Sequence, residues 1–278
     1  MEWAAPARWQ PRPVIQAFIG PPAFSTMTPA MADESDKLRR AARQLIETEE
    51  LLGGSFIPSD RAAASGAQPA GDDAARQQKA KALAELDAGE VRICRRCGLA
   101  GGRTNTVFGE GNPDAEVVFV GEGPGQEEDL TGRPFVGRAG ELLTKMIQAM
   151  GLKREDVYIC NVIKCRAPNN RVPNPEEAAA CWDYLVRQLQ IIRPKVIVTL
   201  GNPATQALLR TRTGITRLRG QWQSLPLIGE GLEGTAVMPT FHPAFVLRQY
   251  TEDVRGKVWS DLQEVMARLG LPLAKRSR

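Results

Sequence analysis

The chain reads as an α/β protein of three layers, α/β/α, built on a central sheet of four parallel strands. Two observations carry that reading. Past residue 92, short apolar runs bounded by glycine or proline alternate with longer segments whose apolar side chains recur at i, i+3 and i+4. Such alternation implies a parallel sheet covered by helices on both faces. The second observation is positional. Glu122, Asn161, Gly201-Asn202 and His242 each follow one of the four runs, and open α/β sheets bind ligands beyond the carboxyl ends of their strands. These residues should therefore converge on one crevice, although Glu122 and His242 are 120 positions apart.

Taken in order, residues 1–36 are proline-rich and lack the charged start and apolar core of a signal peptide. They are expected to be unstructured or to precede the true translation start, with Met27 and Met31 just upstream of the first credible helix. Residues 37–85 read as a short helix followed by a linker. Leu38, Ala41, Ala42, Leu45 and Leu52 share a helical face that Gly53-Gly54 stop, and between 61 and 84 ten of the 24 residues are Ala, with Leu83 the one large apolar side chain. Helix is expected to resume only near Gln77–Leu86. Residues 86–272 are expected to form the main folded domain, and a chain starting near residue 86 is expected to keep its full function. A basic tail occupies 273–278.

Within the domain, Glu116–Val120 is a buried strand, and Ala139 to Met150 a helix stopped by Gly151. Val157–Cys160 is the second strand. Pro175 opens a helix to Ile192 that turns Ala178, Trp182, Leu185, Val186 and Leu189 inward. Lys195–Leu200 is the third strand, Pro203–Arg210 a helix, Val237–Phe241 the fourth strand and 252–269 the last helix.

Composition narrows the function. With 42% hydrophobic and 24% charged residues in 278, the chain is neither disordered throughout nor, with five cysteines, a disulfide scaffold. It holds no apolar run long enough to span a bilayer, and a cytoplasmic protein without a membrane partner is expected. The net charge is +4, and residues 200–278 carry eleven basic against six acidic groups, so an anionic partner would meet the C-terminal third.

The loop Gly121-Glu-Gly-Pro-Gly-Gln-Glu-Glu-Asp129 has a strand–turn setting that suits a pyrophosphate, but the glycines read GxGxG, Pro124 lacks an amide donor, and three carboxylates would repel phosphate. Such glycines suit a flat neutral ligand. Phe135 beyond the loop either stacks a base or anchors the loop in the core. His242, the one histidine, can donate to a leaving group that becomes anionic. Cys94-x-x-Cys97, Cys165 and Cys181 could surround zinc or an iron–sulfur cluster, while Cys160 alternates into a strand as a plain buried residue.

Cys94-Arg-Arg-Cys97, the Gly121–Asp129 loop, Gly132-Arg-Pro-Phe-Val-Gly137, Tyr158-Ile-Cys-Asn-Val-Ile-Lys-Cys165, Asn170-Arg-Val-Pro173 and Phe241-His-Pro-Ala244 occur in one order. Together they resemble family 4 uracil-DNA glycosylases, the type carrying a [4Fe-4S] cluster, over about residues 88–270. The resemblance implies a glycosylase-like fold and excision of uracil from DNA by base flipping, leaving an abasic site. It implies that Cys94, Cys97, Cys165 and Cys181 ligate the cluster, that Phe135 stacks on uracil, that Asn161 reads the base edge and that His242 bonds O2. Glu122 and Glu128 are the carboxylates available to orient water or exclude the thymine methyl, since Gly123, where the better-understood family 1 enzymes place an aspartate, has no side chain. Glu122 and Gly123 are also expected to line the uracil site, and Phe245, Leu247 and Arg248 to contact DNA. A related subtype traps DNA through a histidine in the loop that here reads Arg166-Ala-Pro-Asn-Asn-Arg171, so turnover is expected. No lysine is placed as a Schiff-base nucleophile. A monofunctional monomer is expected, the alternative being a cluster-bearing module that recognises damage without catalysis.

Overall fold

The computed structural model describes residues 70–272. The expected start, the 37–52 helix, the first part of the linker and the basic tail lie outside the described residues.

Six strands form one sheet: β1 (Glu110–Gly111), β2 (Val117–Gly121), β3 (Tyr158–Asn161), β4 (Val196–Leu200), β5 (Gln223–Ser224) and β6 (Ala236–Thr240), in the order β1-β3-β2-β4-β6-β5. The inner four are mutually parallel, in the register Val118 to Tyr158, Val118 to Ile197 and Ile197 to Val237. The expected four-stranded parallel sheet is thus the centre of a larger one. Its two antiparallel edges, β1 on β3 and β5 on β6, span two residues each, too short for any alternation to be read.

Helices cover both faces, as expected. Alternate residues of each inner strand face opposite ways, and both faces are buried. Val118, Val120, Tyr158, Cys160, Ile197 and Val237 pack under α1 (Ala70–Leu86), α4 (Pro175–Ile192) and α5 (Asn202–Leu209). Val117, Phe119, Ile159, Val196, Val198 and Met238 pack under α3 (Arg138–Ala149), α7 (Pro243–Arg248) and α8 (Glu252–Leu269). Two short helices, α2 (Gln126–Thr131) and α6 (Ile215–Leu218), lie in connections.

The long helices have chemical stops. Asn174 accepts from the Glu177 amide at 2.8 Å while the Glu177 carboxylate takes the Asn174 amide at 2.9 Å, and Pro175 stands in the first turn of α4. Thr251 caps α8, which Gly270 ends in the left-handed conformation.

Most boundaries lie within a residue of the expectation, and that of the first helix differs by several. The helix does not wait for Gln77. It begins at Ala70 and packs on α4, burying Leu83 and Leu86 beside Leu185, Leu189 and Ile192. Lys79 donates to the Ile192 carbonyl at 3.0 Å and pairs with Asp114 at 2.6 Å. Alanine forms helix without contributing much buried surface, so an Ala-rich helix held by two leucines has a linker's composition. Removing α1 would forfeit the burial of both, about 1.5–3 kcal/mol for a fully buried leucine. A chain starting at residue 87 is expected to melt on the order of 10 °C below one starting at residue 70. Equal melting temperatures would mean that α1 contributes nothing to the core.

Candidate active site

Four strand ends meet at one rim. Gly121 closes β2 in register with Asn161, which closes β3. A Cβ on Gly121 would fall on the Asn161 amide oxygen and 2.5 Å from Cζ of Phe135. Gly201, past β4, has φ +85°, and a Cβ there would stand 2.8 Å from Cβ of His242, which follows β6. The rings of Phe135 and His242 lie 5.7 Å apart, tilted by 32°. Phe135, Asn161 and His242 therefore share one crevice, and two missing methyl groups keep it open.

Asn161 is buried, and its Oδ1 has no hydrogen-bond partner. An orphaned buried acceptor costs about 1–3 kcal/mol, so the crevice asks for a donor from a ligand.

His242 is set as a donor. Its Nδ1 accepts the Ala244 amide at 3.0 Å. An acceptor nitrogen carries no proton, so the neutral ring holds its hydrogen on Nε2. Burial, helped by the Arg248 charge and opposed by Glu128, pulls the His242 pKa down to about 4. The ring is therefore neutral at pH 7.

Phe135 adopts φ 51°, a left-handed conformation that costs an aromatic residue roughly 1–3 kcal/mol. Its neighbours hold it there. Glu128 Oε1 accepts the amides of Val136 and Gly137 at 2.8 and 2.9 Å, and Oε2 accepts Gly125 at 3.1 Å. Arg154 donates to the Pro134 carbonyl and is itself held by Glu110 at 2.7 Å. Gly140 brings α3 so close that a Cβ would overlap the Phe135 carbonyl. Glu128, read from sequence as a possible water-orienting group, thus has its carboxylate taken up by loop amides. Glu122 is half-buried, and desolvation raises its carboxyl pKa. Gly123 lets the loop lie on Ile163, whose Cγ1 would be 2.6 Å from a Cβ.

Of the residues expected to contact DNA, Arg248 is exposed and close enough to His242 to shift it. Leu247 and Phe245 pack partly into the core, Phe245 with its ring 4.9 Å from Phe241. Phe245 is half-buried, with part of its ring packed against the core.

The cysteines gather on the other face of the sheet. All five are free. The Cys165 thiol feels Cys181 and Cys97, and Cys181 feels Cys97 and Cys94, so the four face one another. Cys165 Sγ accepts from Arg103 at 3.1 Å, and Cys94 Sγ lies 3.5 Å from the Arg96 amide. Burial raises the Cys165 pKa to about 11. Cys160 is fully buried within β3. Among the described residues, no group of three or more His, Cys, Asp or Glu side chains is arranged to hold a single metal ion.

Lys164, Gln188 and Arg103 had no role assigned from sequence. Lys164 left one signal, a lysine inside the apolar stretch Tyr158–Cys165.

Comparison with known proteins gives the family. The family model described as the uracil DNA glycosylase superfamily matches residues 108–263. A type-4 uracil-DNA glycosylase of Thermotoga maritima is 50% identical over 183 residues, 66% of this chain and 92% of that protein. One from Archaeoglobus fulgidus is 49% identical over 63% of this chain and 88% of its own. A third, from Saccharolobus solfataricus, is 44% identical over 65% and 84%.

Proposed function

Because the chain belongs to the uracil DNA glycosylase superfamily and, within it, to the type-4 enzymes, we propose that it flips uracil out of DNA and hydrolyses its N-glycosidic bond. The observation that carries this reading is the unpartnered Asn161 Oδ1, buried beside Phe135 and the neutral donor His242. Uracil presents an N3–H to such an acceptor and an O4 to the amide nitrogen of the same side chain. Cytosine reverses both groups and would leave a buried pair unmatched. Phe135 offers a face for stacking.

As the bond between N1 and the sugar breaks, its electron pair passes to the base, and charge builds on O2. The His242 Nε2–H is a preformed donor for that oxygen. Water adds to the sugar carbon and loses a proton, leaving an abasic site. Glu122 is the carboxylate at this rim left to orient the water. Glu128 acts at one remove, by holding the strained backbone on which Phe135 is mounted. Arg248, with Leu247 behind it, supplies positive charge for the phosphates at the pocket mouth. Flipping costs a few kcal/mol, which the pocket contacts must recover.

The donor chemistry of the corner fits a [4Fe-4S] cluster on Cys94, Cys97, Cys165 and Cys181. Four thiols from two stretches of chain face one another, and Cys94 and Cys165 already receive N–H groups. When bound, the cluster supplies a cross-link between the Cys94–Cys97 loop, the segment after β3 and α4. Purified protein is expected to be brown, and Cys94→Ala to lose colour and stability together. A colourless protein with stoichiometric zinc would overturn the assignment.

The activity itself is tested with a uracil-containing oligonucleotide. Free uracil and an intact, alkali-labile strand are expected, without strand cleavage or covalent trapping. Tight binding with no uracil released would leave a damage-recognition module in place of an enzyme.

A further inference from the structure

Lys164 lies between the two functional centres, its main-chain amide bonded to Cys181 and its side chain turned to the end of β3. It is 1% exposed, among the largest fully buried side chains of the molecule. Its Nζ donates to the main-chain carbonyl of Asn161 at 2.8 Å and to Oε1 of Gln188. Gln188, also fully buried, stands on α4, the helix that carries Cys181, and donates to the Phe108 carbonyl at 2.9 Å and to the Tyr158 hydroxyl at 3.2 Å. The Lys164 carbonyl accepts the Val107 amide at 2.8 Å. The Nζ thus has two partners, one at the end of β3 and one on α4, and stands 6.0 Å from the centre of the Phe108 ring.

An amine buried with no water contact is costly to keep, and a leucine would suit the apolar surroundings better. What the amine gains is directional. Asn161 is the last residue of β3, and its following peptide plane is held from one side by the Val162 amide, which donates to the Gly121 carbonyl at 2.9 Å, and from the other by Lys164 at the Asn161 carbonyl oxygen. The orientation of that carbonyl sets the peptide plane from which the Asn161 side chain projects. Lys164 ties this plane to α4 through Gln188, and the next residue along the chain is Cys165.

We propose that Lys164 is a positioning residue for uracil recognition, acting through the Asn161 carbonyl and braced by Gln188 against the helix that bears Cys181. The proposal rests on the reading of Asn161 as the residue that contacts uracil. Small displacements at a reacting site cost up to about 100-fold in rate, and residues acting through one another are non-additive.

The test is a double-mutant cycle on the purified full chain, using single-turnover uracil release at saturating enzyme. Lys164→Met is expected to lower the rate by about 10-fold or more in the wild-type background. In the Asn161→Ala background the same change is expected to have less than about a twofold effect, because the group it positions is gone. Equal losses in both backgrounds, at matched iron content and helicity, would overturn the proposal, since a general structural role moves both alike. Should Lys164→Met fail to fold, Gln188→Met carries the same cycle: a loss confined to the Asn161 background supports the proposal, and equal losses refute it. An Asn161→Ala rate near wild type would instead refute the underlying reading of Asn161, an outcome distinct from either.

Discussion

His242→Ala is expected to slow single-turnover release of uracil by about 10²–10³-fold, the usual cost of losing one preorganised donor to a developing oxyanion. The size follows from the tautomer. Nδ1 is committed to the Ala244 amide at 3.0 Å, so Nε2 is already the donor before substrate arrives. The pH dependence follows as well. Burial lowers the His242 pKa from 6.5 to about 4, so wild-type activity should show no histidine inflection between about pH 6 and pH 8. The same depression links to stability. Between the folded value, about 4, and the unfolded value near 6.5, the unfolded chain binds more protons than the folded one. Stability is then fully present above the upper value and is lost as pH falls toward the lower. A rate loss below tenfold in His242→Ala, or a wild-type profile that titrates near pH 6.5 with a histidine signature, would remove His242 from the role assigned to it.

Asn161→Ala should cost at least as much, because it removes both edge contacts at once and leaves a cavity at the floor of the crevice. Asn161→Asp makes the sharper experiment. A carboxylate keeps the acceptor but cannot donate to O4, so the variant should be nearly inactive when ionised. Protonated, the acid recovers one donor and one acceptor, and burial raises carboxyl pKa values. The residual rate of Asn161→Asp is therefore expected to climb as pH falls from about 8 to about 5, opposite to any general loss of folded protein in acid. A flat residual rate across that range would mean that Asn161 does not read the base edge.

Much of this site was legible in the sequence because the relevant signals are local. Each inner strand is an apolar run with a breaker behind it, and Asn161 and His242 stand directly at or past such ends. The position of a residue after a strand sets its place on the rim, whatever its distance along the chain. What could not be read depends on pairs with no fixed spacing. Glu128 looks like any acidic loop residue until the amides of Val136 and Gly137 are seen to close on it. Lys164 gains its meaning from Gln188, 24 residues on. Helix α1 was undervalued for a compositional reason, since alanine hides a packed helix within a linker's vocabulary.

The sheet also acts as a bulkhead. The cysteine corner belongs to the core beneath α1, α4 and α5, and Phe135 to the core beneath α3, α7 and α8. Among the described residues, the strands and the bonds rounding the end of β3 link the two compartments. Oxidation of the cysteines would strike the first compartment, while Phe135 packs in the second. The oxidisable thiols thereby lie across the sheet from the Phe135 side of the crevice. The β3 crossing is the narrow door through which injury on one side reaches the other.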